Sequence, residues 1–250
     1  MPVFNSDGID IAYLDEGEGE PIFLIHGFAS NKRVNWDYPG WIDTLVKAGR
    51  RVIAPDNRGH GESEALYDPE AYGAHIMAED VRRLMDHLGI ERADIMGYSM
   101  GARISAFLAL NHPERVRHVI FGGLGYGMVT GTGEPEPIAL ALEAPSLDEV
   151  VGTSGRMFRK FAEQTKSDLL ALAACMRSSR KRISPEDVGR ITAPALVVVG
   201  TEDTISGPAQ PLADLLPKGR ALELPGRDHM NAVGNKVFKQ SVLEFLKEEV

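Results

Sequence analysis

The chain of 250 residues is 43% hydrophobic and 25% charged, a balance that is typical of a folded globular protein and excludes bulk disorder. Its formal net charge of -9 argues against a nucleic-acid partner, which would require a basic surface to neutralise phosphates. No stretch approaches the ~20 apolar residues that span a bilayer, so we expect no membrane partner. The N-terminus lacks the regions of a signal peptide, and the single cysteine allows no internal disulfide. We therefore expect a cytoplasmic protein.

The first residues predict a β-hairpin. Residues 3–6 and 9–14 alternate apolar and polar side chains on either side of Asp7-Gly8, a pair that is typical of tight turns. The apolar run IFLI follows at residues 22–25. A short continuous run of this kind is typical of a strand buried on both faces.

From this strand onward, strand and helix patterns alternate along the chain. The predicted strands are residues 52–54, 93–96, 116–121, 195–199 and 221–224. The predicted helices are residues 36–48, 102–110 and 233–248, together with an amphipathic helix within 70–88 that contains VRRLMDHL and ends before Gly89. Alternation of this kind predicts an α/β fold in which a mostly parallel sheet is flanked by helices. Ligands of such folds bind at the carboxyl ends of the strands.

Residues 126–190 interrupt the alternation, because they contain no convincing strand and show helical patterns around 155–178. Long excursions without secondary structure are uncommon inside a domain. We therefore predict a small helical cap at 126–190 that lies over the strand ends. It would be inserted into a single domain, residues 1–250, whose core is formed by 1–125 and 191–250.

Two features of the cap are interpreted structurally. Cys175 lies in the apolar run LLALAACM, which predicts a buried structural thiol rather than a reactive one. The basic cluster at residues 177–182 is interpreted as a solvated helix end.

The strongest chemical signal is GYSMG at residues 97–101, which matches the pattern G-x-S-x-G, follows a predicted strand and opens a predicted helix. Glycines are needed there because a nucleophile at the tip of a sharp strand-to-helix turn leaves no room for neighbouring side chains. The turn also places Ser99 at a helix N-terminus, where unpaired N–H groups favour developing negative charge. Ser99 is therefore predicted to be a nucleophile.

A serine hydroxyl needs a base, and histidine suits this task at neutral pH. His229 lies in the loop after the last predicted strand, at the same edge of the sheet as Ser99, and is the predicted base. His26 is interpreted as a brace for its own loop. The histidines interpreted as packing or surface residues are His75, His87, His112 and His118.

The base must in turn be oriented by a carboxylate. Asp203 directly follows the strand at 195–199 and is the predicted partner of His229, with Glu202 and Asp228 as rivals. Asp228 is a poor candidate because side chains of adjacent residues generally point apart. Asp80 and Asp94 are interpreted as helix and loop charges.

Acyl transfer also requires N–H donors for the tetrahedral oxyanion. One donor should be the backbone N–H of Met100, which follows the nucleophile. The other should come from the loop after IFLI, where the N–H of Phe28 is the natural candidate.

Taken together, these segments resemble the α/β-hydrolase superfamily, and most closely its small esterase and lactonase-like members. The segments that carry the resemblance are IFLIHGF, DNRGHGES at residues 56–63, GYSMGA, GTEDTI and GRDHM. The resemblance runs from about residue 9 to the C-terminus and is weakest across 126–190. It implies the α/β-hydrolase fold, the triad Ser99, Asp203 and His229, and the oxyanion donors Phe28 and Met100.

The same resemblance implies that Asp56 and Arg58 brace a turn and that His60 takes no part in catalysis. Dehalogenases and epoxide hydrolases of this superfamily use an aspartate nucleophile and are disfavoured, because position 99 is serine. A serine hydrolase of small carboxylic esters is therefore predicted. Lactone opening, cofactor-free perhydrolysis and C–C bond hydrolysis by the same triad remain open alternatives, as does a non-catalytic binding module.

No cofactor is expected. A dinucleotide loop starting at Gly125 would need glycine at position 130, which is Thr130, and no phosphate-binding loop or metal-ligand spacing occurs. The predicted ligand is a small-molecule ester or lactone. The apolar candidates for its pocket are Phe28, Tyr98, Met100, Leu124, Met128 and Met157.

Overall fold

The strand patterns of the sequence assemble into one sheet in the computed structural model, which describes residues 1–248. Its strands are β1 (Val3–Ser6), β2 (Ile9–Glu16), β3 (Glu20–Ile25), β4 (Arg50–Pro55), β5 (Ala93–Tyr98), β6 (Val116–Gly122), β7 (Ala195–Gly200) and β8 (Gly219–Leu224). Across the sheet they lie in the order β1-β2-β4-β3-β5-β6-β7-β8.

The helices connect these strands and cover the sheet. They are α1 (Trp41–Lys47), α2 (Ala74–His87), α3 (Met100–Asn111), α4 (Gly127–Thr130), α5 (Glu136–Glu143), α6 (Thr153–Gln164), α7 (Leu169–Ser178), α8 (Pro185–Val188), α9 (Ala209–Ala213) and α10 (Lys236–Phe245). No helix among residues 1–248 combines the length and the apolar character that crossing a bilayer requires.

Strand direction confirms the predicted architecture. The hairpin β1–β2 and the β2–β4 pair are antiparallel, whereas every pair from β4 through β3, β5, β6 and β7 to β8 is parallel. Parallel neighbours need crossover connections, and the helices supply them. The fold is the mostly parallel α/β-hydrolase fold, with its carboxyl strand ends gathered along one edge.

The central strands are buried on both faces, as the continuous apolar run of β3 predicts. Phe23 and Ile25 pack into the core cluster that contains α2 and α3, whereas Ile22 and Leu24 pack into a second cluster with Trp41. Successive side chains of a strand point to opposite faces, so one strand serves both cores. The sheet is thereby held firmly enough to position the residues at its edge.

One predicted helix is wrong in its bounds. The pattern at 36–48 predicts a single helix, but the structure contains a π-helical turn at Arg33–Asp37 and then α1. Pro39 has no N–H for a helical hydrogen bond, and Gly40 takes a left-handed conformation with φ 75°. These two residues break the segment although its apolar spacing continues.

The insertion between β6 and β7 is helical, as expected for 126–190. It carries α4 to α8, and within the described residues no strand lies between β6 and β7. Cys175 is fully buried on α7, and burial raises the pKa of its thiol to about 12. The interpretation of a structural, unreactive thiol fits this environment. That the chain forms one domain stays a prediction.

Asp94 was expected to be a loop charge, and this expectation is wrong. It is a fully buried residue of β5 whose carboxylate accepts hydrogen bonds from Arg50 at 2.6 Å and from Arg117 and His118 at 2.9 Å. Burial alone would raise the pKa of Asp94, but the bonds from His118 and Arg117 outweigh it and lower the pKa. The partners come from β4 and β6, so local sequence patterning does not reveal them.

Candidate active site

Ser99 lies at the turn between β5 and α3, in a backbone conformation that residues other than glycine rarely adopt. Its φ is 54° and its ψ is -111°. A Cβ added at Gly97 would lie 2.1 Å from Gly101 O, and one added at Gly101 would lie 1.9 Å from Ile25 O. Only glycine fits at either position, which confirms the steric reading of GYSMG and explains how the turn presents the Ser99 hydroxyl.

His229 and Asp203 meet Ser99 at this edge of the sheet. His229 Nε2 lies 3.1 Å from Ser99 Oγ, and His229 Nδ1 lies 2.8 Å from Asp203 Oδ2. Asp203 follows β7 and His229 follows β8, so three distant segments converge where the parallel strands end. This is the arrangement in which a carboxylate orients an imidazole and the imidazole accepts a hydroxyl proton.

The two rival carboxylates lie elsewhere. Asp228 accepts hydrogen bonds from the backbone N–H groups of Met230 and Asn231 and so closes its own turn. Glu202 is exposed. Among residues 1–248, Asp203 is the carboxylate that contacts the His229 ring.

The Asp203 carboxylate is held by a dense set of donors. Oδ1 accepts from the N–H groups of Ile205 at 2.8 Å and Ser206 at 2.9 Å. Burial alone would raise the pKa of Asp203, but the hydrogen bonds from His229, Ser206 and Ile205 outweigh it and hold the pKa below its ordinary value. Asp203 is therefore kept ionised while it faces the imidazole.

Ser206 is a site residue that the sequence analysis missed. Its buried hydroxyl lies 2.6 Å from Asp203 Oδ2, 2.6 Å from Gly123 O and 3.1 Å from His229 Nδ1. The spacing Asp-x-x-Ser directly after a buried strand was a usable signal, because a carboxylate often accepts from the N–H three residues later.

The two predicted oxyanion donors are both available. Within residues 1–248 neither the Phe28 N–H nor the Met100 N–H has a hydrogen-bond acceptor. The Phe28 loop packs closely on Ser99, since a Cβ at Gly27 would lie 3.4 Å from Ser99 Cβ. Asn35 Oδ1 accepts from the Gly27 N–H at 3.0 Å and holds this loop in place.

His26 and His60 pack against one another and against the Phe28 loop, whereas His229 is the histidine that lies beside Ser99. His26 Nε2 accepts from the Asn57 N–H at 2.9 Å, and His26 Nδ1 lies 2.8 Å from Gly27 O, which is the bracing role expected for it. Burial lowers the pKa of His26, and burial together with neighbouring His26 lowers the pKa of His60 to about 3. Both rings are therefore neutral in the folded protein.

The DNRGHGES segment is anchored by two buried ion pairs. Asp56 pairs with Lys32 and also accepts from the N–H groups of Lys32 at 2.8 Å and Glu62 at 2.9 Å. Arg58 donates to both carboxylate oxygens of Asp80, at 2.7 and 2.8 Å. These contacts agree with the bracing expected of Asp56 and Arg58. Asp80 is a helix charge as expected, but a buried and paired one.

A cavity of about 220 Å³ opens beside Ser99 under the cap. Five of the six apolar candidates line it, namely Phe28, Tyr98, Met100, Leu124 and Met157. Met128 does not, because it is fully buried in the core. Further lining residues that the sequence analysis did not single out include Arg103, Phe158, Phe161, Met176, Arg180 and Ile205.

The basic cluster at 177–182 is only partly the solvated helix end that was expected. Arg177 lies at the end of α7 and pairs with Glu136 and Glu143. Arg180, however, is half-buried, lines the cavity and lies with its guanidinium carbon 5.9 Å from the centre of the Phe158 ring. The pattern of charges in the sequence does not distinguish Arg177 from Arg180. The surroundings of each arginine depend on how the cap folds over the sheet.

Metal-ligating side chains are not clustered here. No group of three or more His, Cys, Asp or Glu among residues 1–248 is arranged to hold a metal ion. The expectation that the protein uses neither metal nor cofactor stays a prediction.

Comparison with known sequences gives consistent matches. A family model of the alpha/beta hydrolase fold matches residues 20–183. The chain is 32% identical over 213 residues to a 2-hydroxy-6-oxononadienedioate/2-hydroxy-6-oxononatrienedioate hydrolase of Comamonas testosteroni, which covers 76% of this chain and 73% of that protein. It is 38% identical over 118 residues to a 2-hydroxy-6-oxo-6-phenylhexa-2,4-dienoate hydrolase of the same species, covering 46% of this chain but only 41% of that relative.

Solved structures are similar over nearly the whole chain. The enol-lactonase of Burkholderia xenovorans LB400 superposes with a TM-score of 0.81 and 27% identity, covering 99% of this chain and 100% of that one. A hydrolase from Pseudomonas aeruginosa PA01 superposes with a TM-score of 0.82 and 24% identity, covering 99% of this chain and 98% of that one. The second likeness concerns the fold alone.

Proposed function

Because the chain belongs to the α/β-hydrolase family and is a hydrolase, we propose that it cleaves carboxylic esters of small molecules through an acyl-enzyme intermediate. Ser99 is the nucleophile, His229 the general base and Asp203 the carboxylate that orients the base. The observation that carries the proposal is the continuous chain of contacts from Ser99 Oγ through the His229 ring to Asp203 Oδ2, at 3.1 and 2.8 Å.

The first half of the reaction is acylation. His229 Nε2 accepts the Ser99 hydroxyl proton as Oγ attacks the ester carbonyl carbon. Negative charge then develops on the carbonyl oxygen, where the free N–H groups of Phe28 and Met100 can donate to it. The tetrahedral intermediate collapses, the ester C–O bond breaks and His229 returns its proton to the departing alcohol.

The second half is hydrolysis of the acyl-enzyme. His229 accepts a proton from a water molecule whose oxygen attacks the acyl carbon, the same two N–H groups stabilise the oxyanion, and Ser99 leaves with the proton. The products are an acid, an alcohol and free enzyme. The apolar walls of the cavity, among them Met100, Leu124 and Phe158, exclude bulk water from the reacting carbonyl.

Lactone opening is the second candidate function. It is favoured by the match to an enol-lactonase over 99% of this chain and 100% of that one. The chemistry is the same, except that the leaving alkoxide remains attached to the acyl group. A cavity of about 220 Å³ suits a small ring substrate as well as a short ester.

A fluorophosphonate probe tests the proposed nucleophile directly. We expect the probe to label the folded protein once, at Ser99, and to leave the Ser99→Ala variant unlabelled and inactive on a chromogenic ester. Ser154→Ala, which removes an exposed hydroxyl of the cap, is the control and should be labelled normally. Undiminished ester turnover by Ser99→Ala would refute the assignment.

A substrate screen then tests the reaction class. Short acyl esters and lactones should be turned over without added metal or cofactor and in the presence of a chelator. A higher kcat/KM for the C–C bond substrates named for the Comamonas relatives than for any ester or lactone would replace the ester proposal while keeping the same triad.

A further inference from the structure

Resting on the proposed function, we propose that the substrate carries a carboxylate, and that Arg103 and Arg180 bind it inside the cavity beside Ser99. The favoured substrate is then the monoester of a dicarboxylic acid, or a lactone with a carboxylate substituent, rather than a neutral ester. Both arginines line the cavity that Ser99 and His229 also line.

Arg103 is placed by the same helix that presents the nucleophile. It lies four residues after Ser99, in the first turn of α3. It is 2% exposed. Its guanidinium donates to the carbonyl oxygens of Met128 at 3.0 Å, Lys181 at 2.9 Å and Gly127 at 3.3 Å.

Arg103 has no counter-charge, which distinguishes it from the other buried arginines. Of the three arginines that are buried within residues 1–248, Arg58 pairs with Asp80 and Arg159 pairs with Glu163. Arg103 donates only to backbone carbonyls. Burial of a charge without an opposite charge is unfavourable. An anion bound beside Arg103 would supply the counter-charge that the folded protein alone does not provide.

Arg180 supplies the second charge from the cap. Its guanidinium donates to Thr132 O at 2.9 Å and Gly133 O at 3.2 Å and lies over Phe158, again without a carboxylate partner among residues 1–248. Burial lowers the pKa of both arginines, and the positive charge of Arg180 and Arg182 adds to the lowering for Arg103, which reaches about 10. The two positive charges therefore repel one another, and a bound anion would offset this repulsion.

The surroundings of the cavity carry further positive charge. A cleft of about 330 Å³ adjoins it, shares Thr132 and Arg180 with it, and is also lined by Lys181 and Arg182. Its acidic lining residue is Glu134, and Arg177 at its rim is neutralised by Glu136 and Glu143. In a chain of net charge -9, a local excess of cations beside the cavity attracts anionic ligands.

The wall of this cavity is mainly apolar, with Met100, Leu124 and Met176 among its members. This arrangement matches a ligand whose carbonyl and carboxylate are separated by a short hydrocarbon segment. A guanidinium is also geometrically suited to the task, because its planar donors match the two oxygens of a carboxylate.

A matched ligand pair tests the proposal without requiring turnover. Monomethyl glutarate carries the carboxylate, and methyl 5-methylhexanoate replaces it with an isopropyl group of similar shape. In calorimetric titrations of Ser99→Ala we expect monomethyl glutarate to bind at least tenfold more tightly. Arg180→Gln in the same background should reduce this ratio at least fivefold, whereas Arg190→Gln, which removes an exposed charge paired with Asp187, should leave it unchanged.

Turnover of the same pair separates this inference from the proposed function. With Ser99 intact, kcat/KM should favour monomethyl glutarate by tenfold or more, and added salt should narrow the gap. Tight binding of the anion without hydrolysis would refute the proposed function and leave the anion site standing. Equal binding and equal kcat/KM for the two esters, or a ratio that Arg180→Gln does not alter, would overturn the anion site.

Arg103 is tested by a charge-retaining variant because its neutral variants lose three loop contacts and can unfold. Arg103→Lys keeps the charge but not the planar donors, and we expect a partial loss of the preference for the anion. Circular dichroism of each variant establishes that it is folded. An unaltered preference in a folded Arg103→Lys and in Arg180→Gln together would show that neither arginine contacts the ligand.

Discussion

The Ser206 hydroxyl lies 2.6 Å from Asp203 Oδ2, the same carboxylate oxygen that faces the imidazole of His229. Ser206 Oγ also lies 2.6 Å from Gly123 O, at the start of the segment that follows β6. One buried hydroxyl thus links the orienting acid to the neighbouring strand end. We therefore propose that Ser206 is a positioning residue, which acts through Asp203 on the proposed base His229.

Replacing Ser206 with Ala should lower kcat by about tenfold, because a hydrogen bond to an ionised group contributes about 1.5–3 kcal/mol and only part of this reaches the transition state. The acid limb of the pH–rate profile should move to higher pH. The reason is that the Asp203 carboxylate, with one donor fewer, stabilises the protonated imidazole of the proposed base more strongly, so the base is lost to protonation at a higher pH. Steady-state kinetics across pH measures both effects.

The matched control for Ser206 is Ser184→Ala. Ser184 Oγ donates to Asp187 Oδ2 at 2.9 Å with the same three-residue spacing, but on the protein surface. Ser184→Ala should leave kcat and the pH–rate profile unchanged. Asp203→Asn should cost far more, on the order of 10⁴ in kcat, since the amide favours the wrong imidazole tautomer. A Ser206→Ala enzyme with the parental profile would show that the hydroxyl only fills space.

Gly101→Ala should destabilise the protein and disable the nucleophile together. The added Cβ would overlap Ile25 O at 1.9 Å, so α3 would have to move away from β3 and carry the Met100 N–H with it. We expect Tm to fall by about 5 °C or more. Gly234→Ala is the control, because its Cβ would meet Pro39 at an ordinary 3.6 Å. Equal melting temperatures for the two variants would contradict the steric argument.

Asp94→Asn should be among the most destabilising isosteric changes in the molecule. It leaves the guanidinium groups of Arg50 and Arg117 facing a neutral amide at a fully buried position, and breaking such a pair costs about 3–5 kcal/mol. For a chain of this size we expect Tm to fall by roughly 10 °C. Asp15→Asn removes an exposed partner of Arg51 and should shift Tm by no more than about 2 °C. Comparable losses would refute the distinction between the two ion pairs.

His60 should make the folded protein less stable in acid. Its folded-state pKa of about 3 lies below the ordinary histidine value, so below about pH 6.5 the unfolded chain binds a proton that the folded chain does not. Its contribution to stability is present above the ordinary pKa and is lost as pH falls from there toward 3, by up to about 1.4 kcal/mol per pH unit. His26 adds in the same direction.

Denaturant titrations from pH 4 to pH 8 measure this contribution as a slope. His60→Gln should flatten the fall of the unfolding free energy below pH 6.5, whatever its effect on stability at neutral pH. His87→Gln, which changes an exposed histidine, should leave the slope unaltered. A His60→Gln protein with the parental slope would mean that the His60 ring is protonated as readily when folded as when unfolded.

The parts of the fold that were predictable from sequence are those determined by local chemistry. The apolar run of β3, the turn at Asp7-Gly8 and the glycines around Ser99 each reflect sterics or burial within a few residues. The convergence of Ser99, Asp203 and His229 was predictable for a different reason. Each follows a predicted parallel strand, and the carboxyl ends of such strands share one edge.

The misses share a dependence on distant partners. The ion pairs of Asp94 join three strands, and the burial of Arg180 depends on how the cap folds. Ser206 was overlooked because its role appears only once Gly123 and His229 are brought to it. Met128 was assigned to the pocket on hydrophobicity alone, which does not distinguish a core residue from a cavity wall.

The proposed catalytic residues and the cap residues that line the cavity lie in different segments of the chain. The residues proposed to break and form bonds belong to strand ends, whereas Phe158, Met176 and Arg180 belong to a stretch that lies wholly between β6 and β7. Randomising that stretch should therefore yield variants that accept different acyl groups at undiminished intrinsic reactivity. The exchangeable stretch lies between Gly123 and Pro194. Positions 127, 128 and 181 should be kept, because their backbone carbonyls hold Arg103, one of the two arginines of the proposed anion site.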